Sequence, residues 1–157
     1  MSVQIISGDL IQAFENREVQ SIAHCVNCQG VMGSGIAKTI KAKYPEIFDR
    51  YKLLCDESDR GLLLGKAQGL YRGWPSDGRK IFNLFGQYDY GLDKRNGNYG
   101  AISIALINMR SQVQEGSSVG FPYKMCSDRA GCDWQVILEM IEFIFNDYEV
   151  KIYKLEK

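Results

Sequence analysis

Two glycine-rich stretches carry the residues best suited to hold an anion. The first runs Cys28-Gln29-Gly30-Val31-Met32-Gly33-Ser34-Gly35 and leads into Ile36. The second runs Ser127-Asp128-Arg129-Ala130-Gly131-Cys132-Asp133-Trp134. Glycine lets backbone N–H groups approach a ligand without a side chain in the way. Where such a loop enters a helix, the free N–H groups of the first turn add donors and positive potential. One Gly-x-Gly before a helix is equally what a tight turn looks like. Two such loops at one sheet edge can clamp both sides of a diphosphate. The first is not a Walker loop: Lys38-Thr39 follows it, but the Gly-Lys-Ser/Thr spacing is missing.

The cysteines offer a second chemistry, and the sequence argues against it. Cys25-x-x-Cys28 has a redox or zinc spacing, but no second such pair exists. The only histidine, His24, adjoins Cys25, which is poor geometry for a closed tetrahedral site. No metal or other cofactor is expected. Five cysteines at irregular spacing, with no signal peptide, point to reduced thiols in a cytoplasmic protein. Cys25, Cys28 and Cys126 read as small packing residues. Lys plus Arg and Asp plus Glu both number 19, so the net charge is zero and no strong nucleic-acid binding is expected. Lys38, Lys41 and Lys43 read as one solvated helix face. No apolar run approaches the roughly 20 residues of a membrane span.

The elements that must position these loops alternate. Residues 3–7, 19–27, 80–85, 118–123 and 150–155 read as strands, and 62–71 as a strand-pair region broken by Gly65 and Gly69. Helices are expected over 36–43, from Pro45 through Leu54, over 99–113 and over 134–145. Ile102, Ala105, Leu106 and Met109 would form one inner face. Val136, Ile137, Met140, Ile141 and Ile144 would form another. Residues 86–98 read as a loop, and Trp74 as an exposed turn aromatic. Phe85 and Trp134 read as core. The pattern implies one α/β domain over 1–157, with a mostly parallel or mixed central sheet covered by helices on both faces. In such sheets ligands lie beyond the carboxyl ends of the strands, where both loops fall.

The ordered motifs resemble the macro domain family. Gly8-Asp9-Leu10 is similar to its Gly-Asp-Ile/Leu signature, and His24 to Pro45 to its first ligand loop and helix. Lys80 to Gln87 resembles the following strand and loop in one branch. Gly120 to Trp134 resembles the second phosphate loop, and Lys151 to Leu155 the terminal strand. The resemblance covers almost the whole chain. It is strongest to the yeast-type ADP-ribose-1''-phosphate phosphatase branch, with terminal-ADP-ribose protein glycohydrolases as near relatives in pattern.

That resemblance implies a three-layer α/β/α fold and a nucleotide ligand, ADP-ribose or its 1''-phosphate. Asp9, beside Leu10, would accept a hydrogen bond from the adenine amino group, and Tyr153 would pack near the ring. Gly33, Ser34, Gly35 and Ile36 would hold the phosphates and distal ribose, helped by Ser127, Arg129, Ala130 and Gly131. Asn27 would lie beside the distal ribose. Catalysis would fall on His24 and Asp133, as an acid–base group and its orienting or water-activating carboxylate. Each residue also has a plain structural reading: His24 as a hydrogen-bonded strand-end residue, Asp133 as a helix N-cap, Asp9 as a turn residue, Asn27 as a loop cap, Tyr153 as a strand aromatic.

The second loop departs from the family. It reads Cys126-Ser127-Asp128-Arg129 where Gly-Cys-Gly-Leu is usual, and has Cys132 in place of a glycine. The glycohydrolase branch carries a lysine where this chain has Gly86-Gln87, which favours phosphatase over lysine-dependent glycohydrolase. The expected activity is release of phosphate from ADP-ribose 1''-phosphate. The alternatives are a non-catalytic reader of ADP-ribose or ADP-ribosylated protein, and a de-ADP-ribosylating hydrolase.

Overall fold

A computed structural model describes residues 3–73 and 75–156; Trp74 lies outside the described residues. Six strands form one sheet: β1 (Val3–Ser7), β2 (Ser21–Val26), β3 (Ala67–Tyr71), β4 (Lys80–Phe85), β5 (Ser118–Pro122) and β6 (Glu149–Lys154). Their spatial order is β1-β6-β5-β2-β4-β3. All pairs are parallel except β3 with β4, so the sheet is mixed. The five parallel strands therefore point their carboxyl ends at one edge.

Five α-helices cover the sheet: α1 (Leu10–Glu15), α2 (Gly35–Lys43), α3 (Pro45–Glu57), α4 (Tyr99–Arg110) and α5 (Trp134–Ile144). Alternation along the strands divides the core between the two faces. Ala23, Phe82 and Leu84 point to one side and pack with Ile102, Leu106, Met109, Ile137 and Ile141 of α4 and α5. Ile22 and Ile81 point to the other, against Leu10, Phe14, Ile40 and Ile47 of α1, α2 and α3. Val26 and Phe85 continue that second face against Tyr51 and Cys55 of α3. Among the described residues, no helix is long and apolar enough to cross a membrane.

The structure differs from the sequence reading in four places. Residues 10–15, to which the sequence assigns no element, form α1. Asp9 caps it through Oδ1, accepting from the N–H groups of Ile11 and Gln12 at 2.9 and 3.1 Å. Leu10, Ile11, Ala13 and Phe14 are buried there, so packing rather than length sustains this short helix. The strand-pair region is instead a 3₁₀ turn over Arg60–Leu63 followed by β3. Asp59 caps that turn through Gly61 N–H at 3.3 Å and leaves Leu62 exposed. Helix α4 stops at Arg110, three residues early. Val136, expected on the inner face of α5, is exposed, because the buried side of that helix runs through Trp134, Ile137 and Ile141.

Candidate functional site

At the edge where the five parallel strands end lies a cleft of about 580 Å³, within the range of small-molecule sites. Its walls come from three loops. The first spans residues 25–37, from the end of β2 to the first turn of α2; the second contributes Gln87, Tyr90 and Gly91; the third contributes residues 122–126 and 128–130. Leu155, just past β6, closes one end.

Asn27 organises the first wall. Its Oδ1 accepts from the N–H of Gln29 at 2.9 Å, from the N–H of Val31 at 3.4 Å and from the Tyr51 hydroxyl at 2.8 Å. Its Nδ2 donates to the Val31 carbonyl at 2.8 Å. Tyr51, fully buried in α3, is thereby pinned to the loop, and burial drives its phenol pKa well above the ordinary value. The side chain of Asn27 thus folds the loop and still lines the cleft, leaving one amide hydrogen for a ligand. Beyond it, α2 opens into the cleft. Ser34 occupies its N-cap position, but its side chain makes no capping hydrogen bond. Gly35 has φ +58°, and a Cβ there would meet nothing within 4 Å. The first turn therefore presents N–H donors to an open space lined by Gly33, Ser34, Gly35 and Ile36.

The third loop is held in an unusual backbone course. Lys124 and Cys126 have φ +61° and +62°, sparsely populated for residues with a side chain. Such local strain clusters at ligand clamps. The loop is tied down at both ends: Ser127 N–H donates to the Lys124 carbonyl at 2.9 Å, and Cys132 N–H to the Cys126 carbonyl at 3.1 Å. Its middle is fastened to the second loop, because the Ala130 carbonyl accepts from the N–H groups of Asn96 and Gly97 at 3.0 and 2.9 Å. The second loop is stitched in turn to the first. The Tyr88 carbonyl accepts from Cys28 N–H at 3.1 Å and from Gln29 Nε2 at 3.0 Å. All three walls are one connected hydrogen-bonded unit. Lys124 and Arg129 bring positive charge to the lining, and Asp128 is its one carboxylate.

The structure brings together Asn27, Gly33, Ser34, Gly35, Ile36, Arg129 and Ala130 on the cleft walls. Ser127 and Gly131 belong to the same loop but support it from behind: the Ser127 hydroxyl donates to the Met125 carbonyl, and Gly131 turns at φ +79°.

Both expected catalytic residues fall elsewhere. His24 sits within β2, 1% exposed, on the sheet face that packs against α1, α2 and α3. Its Nε2–H donates to Asn83 Oδ1 at 2.7 Å, Asn83 Nδ2 donates to Gln68 Oε1 at 3.0 Å, and Gln68 Nε2 donates to the Arg50 carbonyl at 3.4 Å. This directional chain fixes the tautomer and leaves Nδ1 buried without a partner among the described residues. Burial pushes the imidazole pKa down to about 4, against a smaller opposing effect of the Asn83 hydrogen bond. The ring is therefore neutral near pH 7, and it does not line the cleft. Asp133 is the N-cap of α5, its Oδ1 accepting from Gln135 N–H at 2.9 Å, and does not line the cleft.

The adenine-side residues are also displaced from the cleft lining. Tyr153 is buried at 5% exposure among the residues packed by α1, and burial raises its phenol pKa. Leu10 is core, and Asp9 uses Oδ1 to cap α1. Cleft residues that the sequence reading did not assign include Gln87, Tyr90, Tyr123, Lys124 and Leu155. Gln87 and Tyr90 lie in the stretch 86–98, where an exposed aromatic among Gly, Asp and Asn is the one local signal.

No protein-family model matches the chain. It is 28% identical to the macrodomain of Mycobacterium tuberculosis DarG, with a TM-score of 0.78 over 97% of each chain. It is 27% identical over 150 residues to a DNA ADP-ribosyl glycohydrolase of the same organism, spanning 94% of this chain but only 40% of that protein. A shorter match, 37% over 69 residues, joins it to the ADP-ribose 1''-phosphate phosphatase of Scheffersomyces stipitis, covering 41% of this chain and 40% of that protein. The sheet order, the three layers and the cleft at the strand ends define the class: this chain has the macrodomain fold. Over its full length it is similar to the DarG macrodomain, and over part of that length to the yeast phosphatase.

Proposed function

We propose that the cleft binds ADP-ribose and that the protein releases phosphate from ADP-ribose 1''-phosphate. The observation that carries the binding reading is the pairing of the uncapped first turn of α2 with the strained third loop across one cavity. The diphosphate would lie between them, with Lys124 and Arg129 neutralising its charge. The distal ribose would lie toward Asn27 and Gln87, and the adenine toward Leu155. Asp9 caps α1 through Oδ1 alone, so its second carboxylate oxygen would accept from the adenine amino group. The S. stipitis similarity and the glutamine at position 87 support the phosphatase reading. Because His24 and Asp133 lie off the cleft, the candidate groups for positioning water are Asn27, Gln87 and Asp128, all on its walls.

A second reading rests on the similarity to the DarG macrodomain over nearly the whole chain: removal of ADP-ribose from DNA. Titration calorimetry with ADP-ribose tests the binding reading. Phosphate release from ADP-ribose 1''-phosphate and release of ADP-ribose from modified DNA, run side by side, separate the activities. Binding with neither release makes the protein a reader; absence of binding refutes the proposal.

A further inference from the structure

The cleft floor carries a feature that the binding and hydrolysis readings leave unused. Three thiols from separate points of the chain converge under the third loop. Cys25, half-buried at the end of β2, and Cys126, at φ +62°, both line the cleft, and Cys132 lies directly behind them. All are free. Cys126 and Cys132 are buried in one packing cluster, with Cys25 packed against it; burial first, and then the neighbouring Cys25 thiol, raise the Cys126 pKa. Cys25 Sγ also reaches Gln87 Oε1 at 3.8 Å. Two glycines make room for the cluster. A Cβ at Gly86 would stand 2.8 Å from Cys25 Sγ, and one at Gly97 would collide with Cys132 Sγ. Among the described residues no group of three ligand side chains is arranged to hold a metal ion. The remaining cysteines, Cys28 and Cys55, are packed against Tyr51 in a different cluster.

We propose that Cys25 and Cys126 form a peroxide-sensitive pair whose disulfide ties the end of β2 to the third loop and closes the cleft to its ligand. Cys25 is the thiol that a small oxidant entering the cleft can reach. As the thiolate, its sulfur attacks the O–O bond of hydrogen peroxide, giving a sulfenic acid and hydroxide, which takes up the thiol proton as water. The Cys126 sulfur then attacks the sulfenic sulfur, forms the S–S bond and expels the hydroxyl as a second water. Two thiols thus give two electrons and two protons to one peroxide. The new bond turns Cys25 Sγ away from Gln87 and draws Cys126, with the phosphate-facing backbone beside it, onto the cleft floor.

The test uses the whole chain. It is exposed to a small molar excess of peroxide, its free thiols are alkylated, and its peptides are mapped by mass spectrometry. ADP-ribose affinity is measured before oxidation, after it, and after dithiothreitol. The expected result is a Cys25–Cys126 crosslinked peptide lighter by two hydrogens, an affinity at least tenfold weaker, and recovery on reduction. Cys126→Ser should keep its affinity through peroxide treatment, and Cys132→Ser should respond like wild type. No crosslink, a crosslink to Cys132 instead, or a crosslink that leaves affinity unchanged would overturn the proposal. The affinity readout rests on the ADP-ribose reading, whereas the crosslink does not. A Cys25–Cys126 crosslink in a protein that fails to bind ADP-ribose even when reduced supports the pair and refutes that ligand.

Discussion

The buried imidazole makes stability depend on pH between about 4 and 6.5. His24 is the sole histidine of the chain, and its pKa falls from 6.5 to about 4 on folding. Between these values the unfolded chain binds a proton that the folded chain refuses, so stability rises with pH there and is lost as pH falls. The full difference corresponds to about 3 kcal/mol, at about 1.4 kcal/mol per pH unit. At pH 5 the unfolded imidazole is almost wholly protonated and the folded one almost wholly neutral, so about 2 kcal/mol of stability is gone relative to pH 7. Asp56, held low by its hydrogen bond from Lys52, and Asp147, held low by Arg110, lose their contributions only below the ordinary aspartate value of 3.8. Urea unfolding followed by tryptophan fluorescence at pH 7, 6 and 5 should show the loss. His24→Gln, which keeps an amide to donate to Asn83 but cannot titrate, should flatten the slope. Proton NMR of the single imidazole gives the folded pKa directly. An imidazole titrating near 6.5, or a slope that persists in the glutamine variant, would refute the argument and reopen a proton-transfer role for His24.

Three further outcomes follow from the hydrogen bonds and packing around the cleft. Asp133→Ala should cost about 0.5–2 kcal/mol of stability through the lost cap of α5 while leaving ADP-ribose affinity within twofold, as calorimetric titration and thermal unfolding will show. Tyr51→Phe removes the donor shared by the Asn27 carbonyl and Oδ1, at 2.7 and 2.8 Å; urea unfolding should register a loss of about 1–3 kcal/mol, and ligand affinity should drop several-fold as residues 27–31 loosen. Gly97→Ala drives a methyl into Cys132 Sγ and toward the Ala130 carbonyl, so a destabilisation of about 1–3 kcal/mol is expected by urea unfolding, and an unchanged midpoint would contradict the packing described.

Local signals in the sequence determined the order of strands and helices, both glycine-rich loops and the edge at which they meet. Period-two and period-3.6 patterns, and glycines at loop-to-helix junctions, express preferences that each segment carries by itself. They singled out loops 27–35 and 124–133, both of which contribute to the cleft walls. Helix α1 escaped because six residues carry too little periodicity, and its stability comes from Phe14 and Leu10 meeting a sheet the local sequence does not display. The direction of a side chain escaped for the same reason. His24 and Cys25 are neighbours in one strand, and successive strand residues point to opposite faces. Register against β4 decided that His24 would meet Asn83 in the buried layer while Cys25 reached the cleft. Asp133 and Asp9 look chemically ready in sequence, yet a carboxylate beside free helix N–H groups is first of all a cap. Whether it does more depends on where its helix starts relative to the cleft. The convergence of Cys25, Cys126 and Cys132 is wholly tertiary: about a hundred residues separate the first from the others, and only the parallel pairing of β2 with β5 brings their ends together.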